Sequence, residues 1–398
     1  MKNCAVICEY NPFHTGHLYQ LNKIQKKYDN VICLMSGNFV QRAEPAIIEK
    51  SVRAAVAMNC GASMVIELPI IYAVANGEMF AYGAVKTLSK LSDVDALAMG
   101  CETDDTKSLE KIAELRTTES PEFQSIIAEL LDKGYSYAAA LTEATAVEAE
   151  KYGISVSATK AILSEPNNLL CIEYVKAINK LGLNIKPHFI KRQGNSYNSI
   201  SAMGNYLSAT AIRKLLLEKR FTEATPYLTN EADVVLDEFN AHFPDYTIYE
   251  KIAVNELRKK TAEEISQAYD CREGLEYRLK DCAMRRIKLD EILLETKTKR
   301  YTMSRLKRVV LQILLGITKE TMQSDFLPPV RLLAIRETFK PYLTDNADNL
   351  IIRGDDISAH FGQWYDDYFR IEKNAAALYS VVTSNPTDLF TPKKLYTI

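Results

Sequence analysis

Four short apolar runs in the first hundred residues, each followed by a polar turn and an amphipathic stretch, constrain this chain more than any other feature. The runs are CAVIC (4–8), VICLM (31–35), MVIELP (64–69) and ALAMG (96–100). Continuous apolar runs of this length are strands buried on both faces, and strands alternating with helical periodicity pair in parallel. Residues 48–59 and 79–91 carry apolar side chains at helical spacing. The expected fold class is α/β, a doubly wound parallel sheet with helices on both faces.

Further along, residues 107–183 read as helices broken at Pro121, Gly134, Gly153 and Pro166. NIKPHFIKR (184–192) returns as a strand whose Pro187 suits an edge position. Residues 205–220 read as a helix led in by polar residues. From about residue 231 the strand–helix rhythm stops and amphipathic helices dominate, including MSRLKRVVLQILLGI (303–317). A length of 398 residues also suggests two domains. The expected division is a catalytic domain over 1–230 and a mainly α-helical C-terminal domain over 231–398. No internal repeat or low-complexity tract interrupts either part.

Composition excludes several classes. Hydrophobic residues make up 47% and charged residues 25%, and the net charge is −2. That balance is globular, and any basic face for nucleic acid must be local. The eight cysteines (Cys4, Cys8, Cys33, Cys60, Cys101, Cys171, Cys271 and Cys282) form no C-x-x-C pair, and several sit in apolar runs as small hydrophobes. The N-terminal apolar run is short and broken by Glu9, unlike a signal peptide, and no apolar stretch approaches the ~20 residues of a membrane span. A cytoplasmic location is expected.

In α/β sheets, ligands bind beyond the carboxyl ends of the strands. Those ends here carry EYNPFHTGH (9–17), SGNFVQRAEPA (36–46), ELP (67–69) and GCET (100–103), which together are expected to line a crevice. The first is the sharpest signal. Asn11-Pro12 ends the strand, and His14-Thr-Gly-His17 opens a helix continuing through Leu18, Leu21 and Ile24. A helix N-terminus offers free N–H groups and a positive dipole end to phosphate. Gly16 removes a side chain where something must come close. Two imidazoles three residues apart share a face and can donate hydrogen bonds to phosphate oxygens as charge builds during attack at an α-phosphorus. A zinc pair and a pair of structural, helix-capping histidines are the alternatives, although no neighbouring residues repeat metal-ligand spacing. There is no G-x-x-x-x-G-K-[ST], and no G-x-G-x-x-G after the first strand, which removes the P-loop and the dinucleotide fingerprint.

EYNPFHTGHLYQL resembles the signature of the bacterial tRNA(Met) cytidine acetate ligase family, within the HIGH/HxGH nucleotidyltransferase superfamily. SGNFVQRAEPAI, VIELP, MGCE, SEPNNLLCIEY (164–174), PHFIKR (187–192), YLSATAIRKLL (206–216) and RYTMSRLKRVVLQILLGI (300–317) continue the resemblance in order over nearly the whole chain. It implies a Rossmann-like HxGH nucleotidyltransferase domain followed by helices. The implied reaction is ATP-dependent conversion of acetate to acetyl-adenylate, then acetyl transfer to N4 of the wobble cytidine of elongator tRNA(Met). The resemblance places ATP on Ile7, Cys8, Glu9, Tyr10, Asn11, Pro12, Phe13, His14, Thr15, Gly16, His17, Leu18, Tyr19, Gln20, Gly100, Asn167, Asn168 and Arg192. Ala43 and Cys101 depart from the family pattern, standing where glycine and serine are usual.

The residues themselves suit that chemistry. His14 and His17 would hold the α- and β-phosphates. Ser208, Thr210 and Arg213 of SATAIR would hold the leaving pyrophosphate, unless the segment is a plain N-cap with a solvated arginine. SATAIR also stands where class I synthetases carry a lysine-rich loop, which argues against amino-acid charging. Arg192 would bind phosphate or pair with an acid, and Asn167-Asn168 would contact ATP or cap a helix. Gln41, Arg42 and Glu44 form a loop with a substrate-side role, including closure over the adenylate. Glu9 would help to hold the Mg²⁺ expected to accompany ATP, or pair with a base.

Between residues 296 and 308 lie Lys297, Lys299, Arg300, Arg305, Lys307 and Arg308, with Tyr301 among them and no acid. Clustered cations around an aromatic suit RNA, and an ordinary solvated helix face is the alternative. No RRM, KH or zinc-finger signature names the RNA. Two other functions share these motifs: adenylyl transfer to a small metabolite, and RNA binding without catalysis.

Overall fold

The computed structural model describes residues 1–193, 206–239, 242–323, 330–346, 349–351, 363–385 and 396–397. The four apolar runs become strands β1 (Asn3–Cys8), β2 (Asn30–Ser36), β3 (Met64–Leu68) and β4 (Ala96–Cys101), and PHFIK falls in β5 (Lys186–Lys191). Helices α1 (Thr15–Gln25), α2 (Lys50–Asn59) and α3 (Gly77–Leu88) follow the first three strands. Helix α4 (Pro166–Lys180) precedes β5, and α5 (Ala209–Leu217) follows it.

Alternate residues of each strand enter opposite core layers, which is why the runs are apolar throughout. Ala5, Ile32, Leu34, Met64 and Ile66 pack on one face, whereas Cys4, Val6, Cys33, Met35 and Val65 pack on the other. The strands β3-β2-β1-β4-β5 are all parallel. The order reverses between β1 and β4, which opens the crevice where α/β proteins bind ligands. β5 forms the edge expected from Pro187, and its outer residues are partly exposed.

Residues 107–183 fold as the expected series of helices, broken near Pro121, Gly134, Gly153 and Pro166. The expected helix over 205–220 is realised as α5, with Asn205 outside the described residues. Downstream, helices fill 246–323, among them α6 (Met303–Leu315), which Gly316 closes in the left-handed conformation.

The strand rhythm nevertheless resumes after residue 323, a return the sequence reading missed. β6 (Val330–Ile335) pairs antiparallel with β3, and β7 (Leu350–Ile351) and β8 (Tyr396–Thr397) pair with β6. The missed strand is VRLLAI, another run buried at every position. Its arginine and its place among helices hid it. α7 (Gln363–Val382) then packs back on the catalytic half, where the Tyr379 hydroxyl donates to Ala46 O at 2.9 Å.

Candidate active site

β1 ends at Cys8, and the chain turns through Tyr10, held at φ 47°, and a cis Asn11–Pro12 bond. Tyr10 is fully buried with its ring 4.7 Å from Phe13, so the turn is packed from beneath. α1 begins immediately afterwards with His14 as N-cap. Its Nδ1 accepts from Gly16 N–H at 3.0 Å, satisfying one free donor of the helix start. A Cβ on Gly16 would lie 2.8 Å from His14 Cε1, so this glycine makes room for the imidazole.

The His17 ring stacks on the His14 ring, with centroids 3.8 Å apart and planes at 27°. Burial lowers the His14 pKa to about 3, with the positive charges of Arg192 and Arg213 adding to the effect. Burial also holds His17 well below its ordinary value, helped by His14 and Arg192. Both rings are therefore neutral at pH 7. With Nδ1 of His14 accepting, its proton sits on Nε2, and Nδ1 of His17 is buried without a protein partner. The structural-histidine alternative is thus half right: His14 does cap the helix, but through one nitrogen only.

The pair lines a cavity of about 230 Å³ at the carboxyl ends of β1, β4 and β5. Ile7, Cys8, Glu9, Tyr10, Asn11, Gly16, Tyr19 and Gln20 share its wall with Gly100, Asn167, Arg192, Ser208, Thr210 and Arg213. Pro12, Phe13, Thr15, Leu18 and Asn168 of the expected set are not in the wall. Phe13 is instead buried against Tyr10 and His17, and Leu18 packs on the core. The reading overlooked Phe80, Met99, Leu170, Tyr174 and Tyr206, which supply an apolar and aromatic wall. Their spacing in the sequence is that of ordinary core residues, so no local signal marks them.

Among the described residues Arg192 makes no ion pair, and its side chain runs along Gly100, where an added Cβ would meet Arg192 Cγ at 3.3 Å. Arg213 is buried rather than solvated. Its Nη1 donates to Asn11 O at 2.8 Å and its Nη2 to Thr210 Oγ1 at 3.3 Å, so it braces the loop that delivers His14. Ser208 Oγ caps α5 by accepting from Ala211 N–H. Asn168 Oδ1 accepts from Glu102 N–H at 2.8 Å, and Glu102 in turn accepts from Asn168 N–H at 2.9 Å. Asn168 therefore fixes the loop after β4, and the Asn167 amide donates to the same carboxylate.

ELP does not line the crevice. Glu67 is buried among cations, 2.7 Å from Lys50 Nζ and 3.0 Å from Arg331 Nη1. Another buried cation, Arg53, shapes the site from behind and carried no signal in the sequence. Its guanidinium donates to Ile48 O at 2.9 Å and Ser36 O at 3.1 Å, and also to Glu9 O and Gly37 O. The ends of β1 and β2 are thereby tied together.

The two departures from the family pattern are accommodated. Ala43 adopts φ 58°, where glycine is free of strain, and the turn still closes through Ala43 N–H to Val40 O at 2.8 Å. Cys101 Sγ donates to Thr103 O, a bond that a serine hydroxyl also makes.

The basic stretch divides in two. Lys297, Lys299 and Arg300 are exposed and, among the described residues, make no ion pair. Arg305, Lys307 and Arg308 find acids from elsewhere, Glu273 at 3.2 Å, Glu44 at 2.7 Å and Asp270 at 2.8 Å. Tyr301 is half-buried, with its hydroxyl donating to Glu273 O and Arg305 lying 5.6 Å over its ring. Among the described residues there is no group of three or more His, Cys, Asp or Glu that could hold a metal ion. No helix among them is long and apolar enough to cross a membrane.

A parallel sheet with its switch point at β1 and β4, and an H-x-G-H helix start facing that crevice, define a nucleotidyltransferase. The model of the family described as HIGH Nucleotidyl Transferase matches residues 1–391. A tRNA(Met) cytidine acetate ligase of Acetivibrio thermocellus is 37% identical over 86% of this chain and 85% of its own length. One of Clostridium acetobutylicum is 33% identical over 98% of both chains. Thermotoga maritima TmcAL matches over the full length of both chains, with a TM-score of 0.93 at 29% identity without ligand and 0.91 at 28% bound with alpha-thio ATP. The chain belongs to the tRNA(Met) cytidine acetate ligase family of HIGH nucleotidyltransferases.

Proposed function

We propose that this chain converts acetate and ATP to acetyl-adenylate and pyrophosphate, then passes the acetyl group to N4 of the wobble cytidine of elongator tRNA(Met). The observation that carries the reading is the stacked, neutral His14–His17 pair at the start of α1, facing Arg192 across the pocket. Neutral imidazoles can donate hydrogen bonds without the cost of keeping a buried cation in an empty site.

An acetate oxygen attacks the α-phosphorus, an O–P bond forms, and the bond to the β-phosphate breaks to release pyrophosphate. The cytidine amine then attacks the acyl carbon. A C–N bond forms, the nitrogen loses a proton, and AMP departs with the electron pair of the broken C–O bond. The chain's groups position and stabilise these steps without bonding to substrate. His14 and His17 meet the α- and β-phosphates. Arg192 neutralises developing charge, and Thr210 and the helix start at Ser208 face the pyrophosphate. Arg213 acts chiefly by holding Asn11.

The apolar wall of Phe80, Met99, Leu170 and Tyr174 excludes water that would hydrolyse the mixed anhydride. Glu9 is the one carboxylate among the described lining residues, so Mg²⁺ would be held mainly by the triphosphate, with Glu9 beside it. Lys297, Lys299 and Arg300 are the proposed RNA contacts with free charge. Arg305, Lys307 and Arg308 would reach RNA only by exchanging their carboxylate partners. Eight unpaired, buried cysteines suit the reducing cytoplasm. We assign the nucleotide chemistry to residues 1–230 and tRNA binding to the helices beyond, with β6–β8 completing the catalytic sheet.

Acetate-dependent exchange of pyrophosphate into ATP tests the first step without RNA. His17→Ala should slow this exchange by about 10²–10³-fold, the usual cost of one transition-state donor. Full exchange activity in that variant would remove the histidine pair from the mechanism.

A further inference from the structure

A second cavity, of about 550 Å³, adjoins the first. Gln41, Arg42, Asn167 and Leu170 line both, so the two cavities share a wall. Its remaining walls come from opposite parts of the chain: Pro166 and Glu173 of α4 on one side, and Ser304, Lys307 and Arg308 of α6 on the other. Neither His14 nor His17 reaches it. An anion in the first cavity and a second substrate in this one can therefore meet at Gln41, Arg42 and Asn167 without competing for space.

We propose that this second cleft is the acceptor site, through which one unstacked pyrimidine nucleotide of an RNA loop reaches the acyl-adenylate. The proposal rests on the ligase reading and deepens it. Three properties of the cleft fit such an occupant. It is lined by both polar and apolar groups, as a base with its ribose requires. Arg42, Lys307 and Arg308 stand in its wall; Lys307 and Arg308 are held by Glu44 and Asp270 and would meet a phosphodiester at the rim by exchanging those partners.

Gln41 stands at the junction with an amide donor and acceptor, the pair that reads the hydrogen-bonding edge of a splayed base. Met303 and Ser304 at the start of α6 also line the cleft, and Lys297, Lys299 and Arg300, which make no ion pair among the described residues, lie immediately before that helix in the chain. The Lys307–Glu44 ion pair, at 2.7 Å and partly exposed, joins α6 to the Gln41–Glu44 loop across the cleft. Phosphate competing for Lys307 would loosen that tie as the nucleotide enters.

The native cysteines are all buried, so an added exposed thiol is chemically distinct. Ser304→Cys places one in the cleft wall and outside the first cavity. The full chain carrying it would be mixed with elongator tRNA(Met) whose wobble cytidine bears a short N4 tether ending in a mixed disulfide with a small thiol, and the thiol–disulfide exchange that joins protein to RNA and releases the small thiol followed. Tyr152→Cys, exposed and in neither cavity wall, is the control. Cross-linking at position 304, well above that at 152, is expected. Ser304→Trp should reduce acetyl transfer by about ten-fold relative to the same variant's pyrophosphate exchange.

Equal cross-linking at both positions, or an unchanged transfer-to-exchange ratio in Ser304→Trp, overturns the acceptor site while leaving the ligase reading intact. A native protein with no acetate-dependent exchange overturns the ligase reading on which the site rests.

Discussion

His14 shows how one residue can serve structure and chemistry together. Its Nδ1 caps α1, its ring carries the stacked His17, and burial keeps it uncharged with a pKa of about 3 against an ordinary 6.5. Between those values the unfolded chain binds a proton that the folded protein refuses. Stability is therefore complete above about pH 6.5 and falls as pH drops, with a slope approaching 1.4 kcal/mol per pH unit for one such group. His14→Gln should flatten the decline of the melting temperature between pH 6.5 and 4.5. An unchanged pH profile would mean that His14 titrates normally in the folded protein. The sequence made this pair legible because its evidence is local: strand end, helix start, and glycine between two imidazoles. It gave no hint of Arg53, which binds four carbonyls through contacts that only the fold creates.

Among elements, the buried ion cluster shows why part of the site was illegible. Glu67 looked like crevice lining because it ends a strand. Its partner Arg331 lies 264 residues away on the unexpected strand β6, and no local pattern reports such a pairing. Glu67→Gln leaves Lys50 and Arg331 as poorly compensated buried cations, which should cost about 3–5 kcal/mol in urea unfolding. A loss below about 1 kcal/mol, the scale of an exposed pair, would show the cluster to be solvent-screened. The basic stretch before and along α6 tells the same story. Composition showed six cations and no acid, yet three of them meet acids from distant segments. Neutralising Lys299 and Arg300 together should weaken tRNA binding and shallow its logarithmic salt dependence by about one to two units, whereas an unchanged slope would clear them of phosphate contact.

Across the whole molecule, the helices of 246–323 are inserted between two portions of one sheet rather than appended to it. The strand order β3-β2-β1-β4-β5 followed from the repeated runs, because parallel buried strands announce themselves. The return through β6 did not, since a single apolar run among helices carries no rhythm. A chain ending at residue 230 should therefore fail to fold as a nucleotide-binding unit. It would expose the β3 edge and leave Glu67 without Arg331. A soluble, cooperatively melting fragment that binds ATP would contradict this. That the pocket at α1 makes an acyl-adenylate for RNA is the chemistry on which the whole molecule turns. Its most direct test is to incubate the protein with ATP, labelled acetate and unmodified elongator tRNA(Met), then digest the RNA to nucleosides. Label on N4-acetylcytidine, dependent on ATP and accompanied by AMP release, is the predicted result. ATP consumption with an adenylated small molecule and no label on cytidine would contradict it.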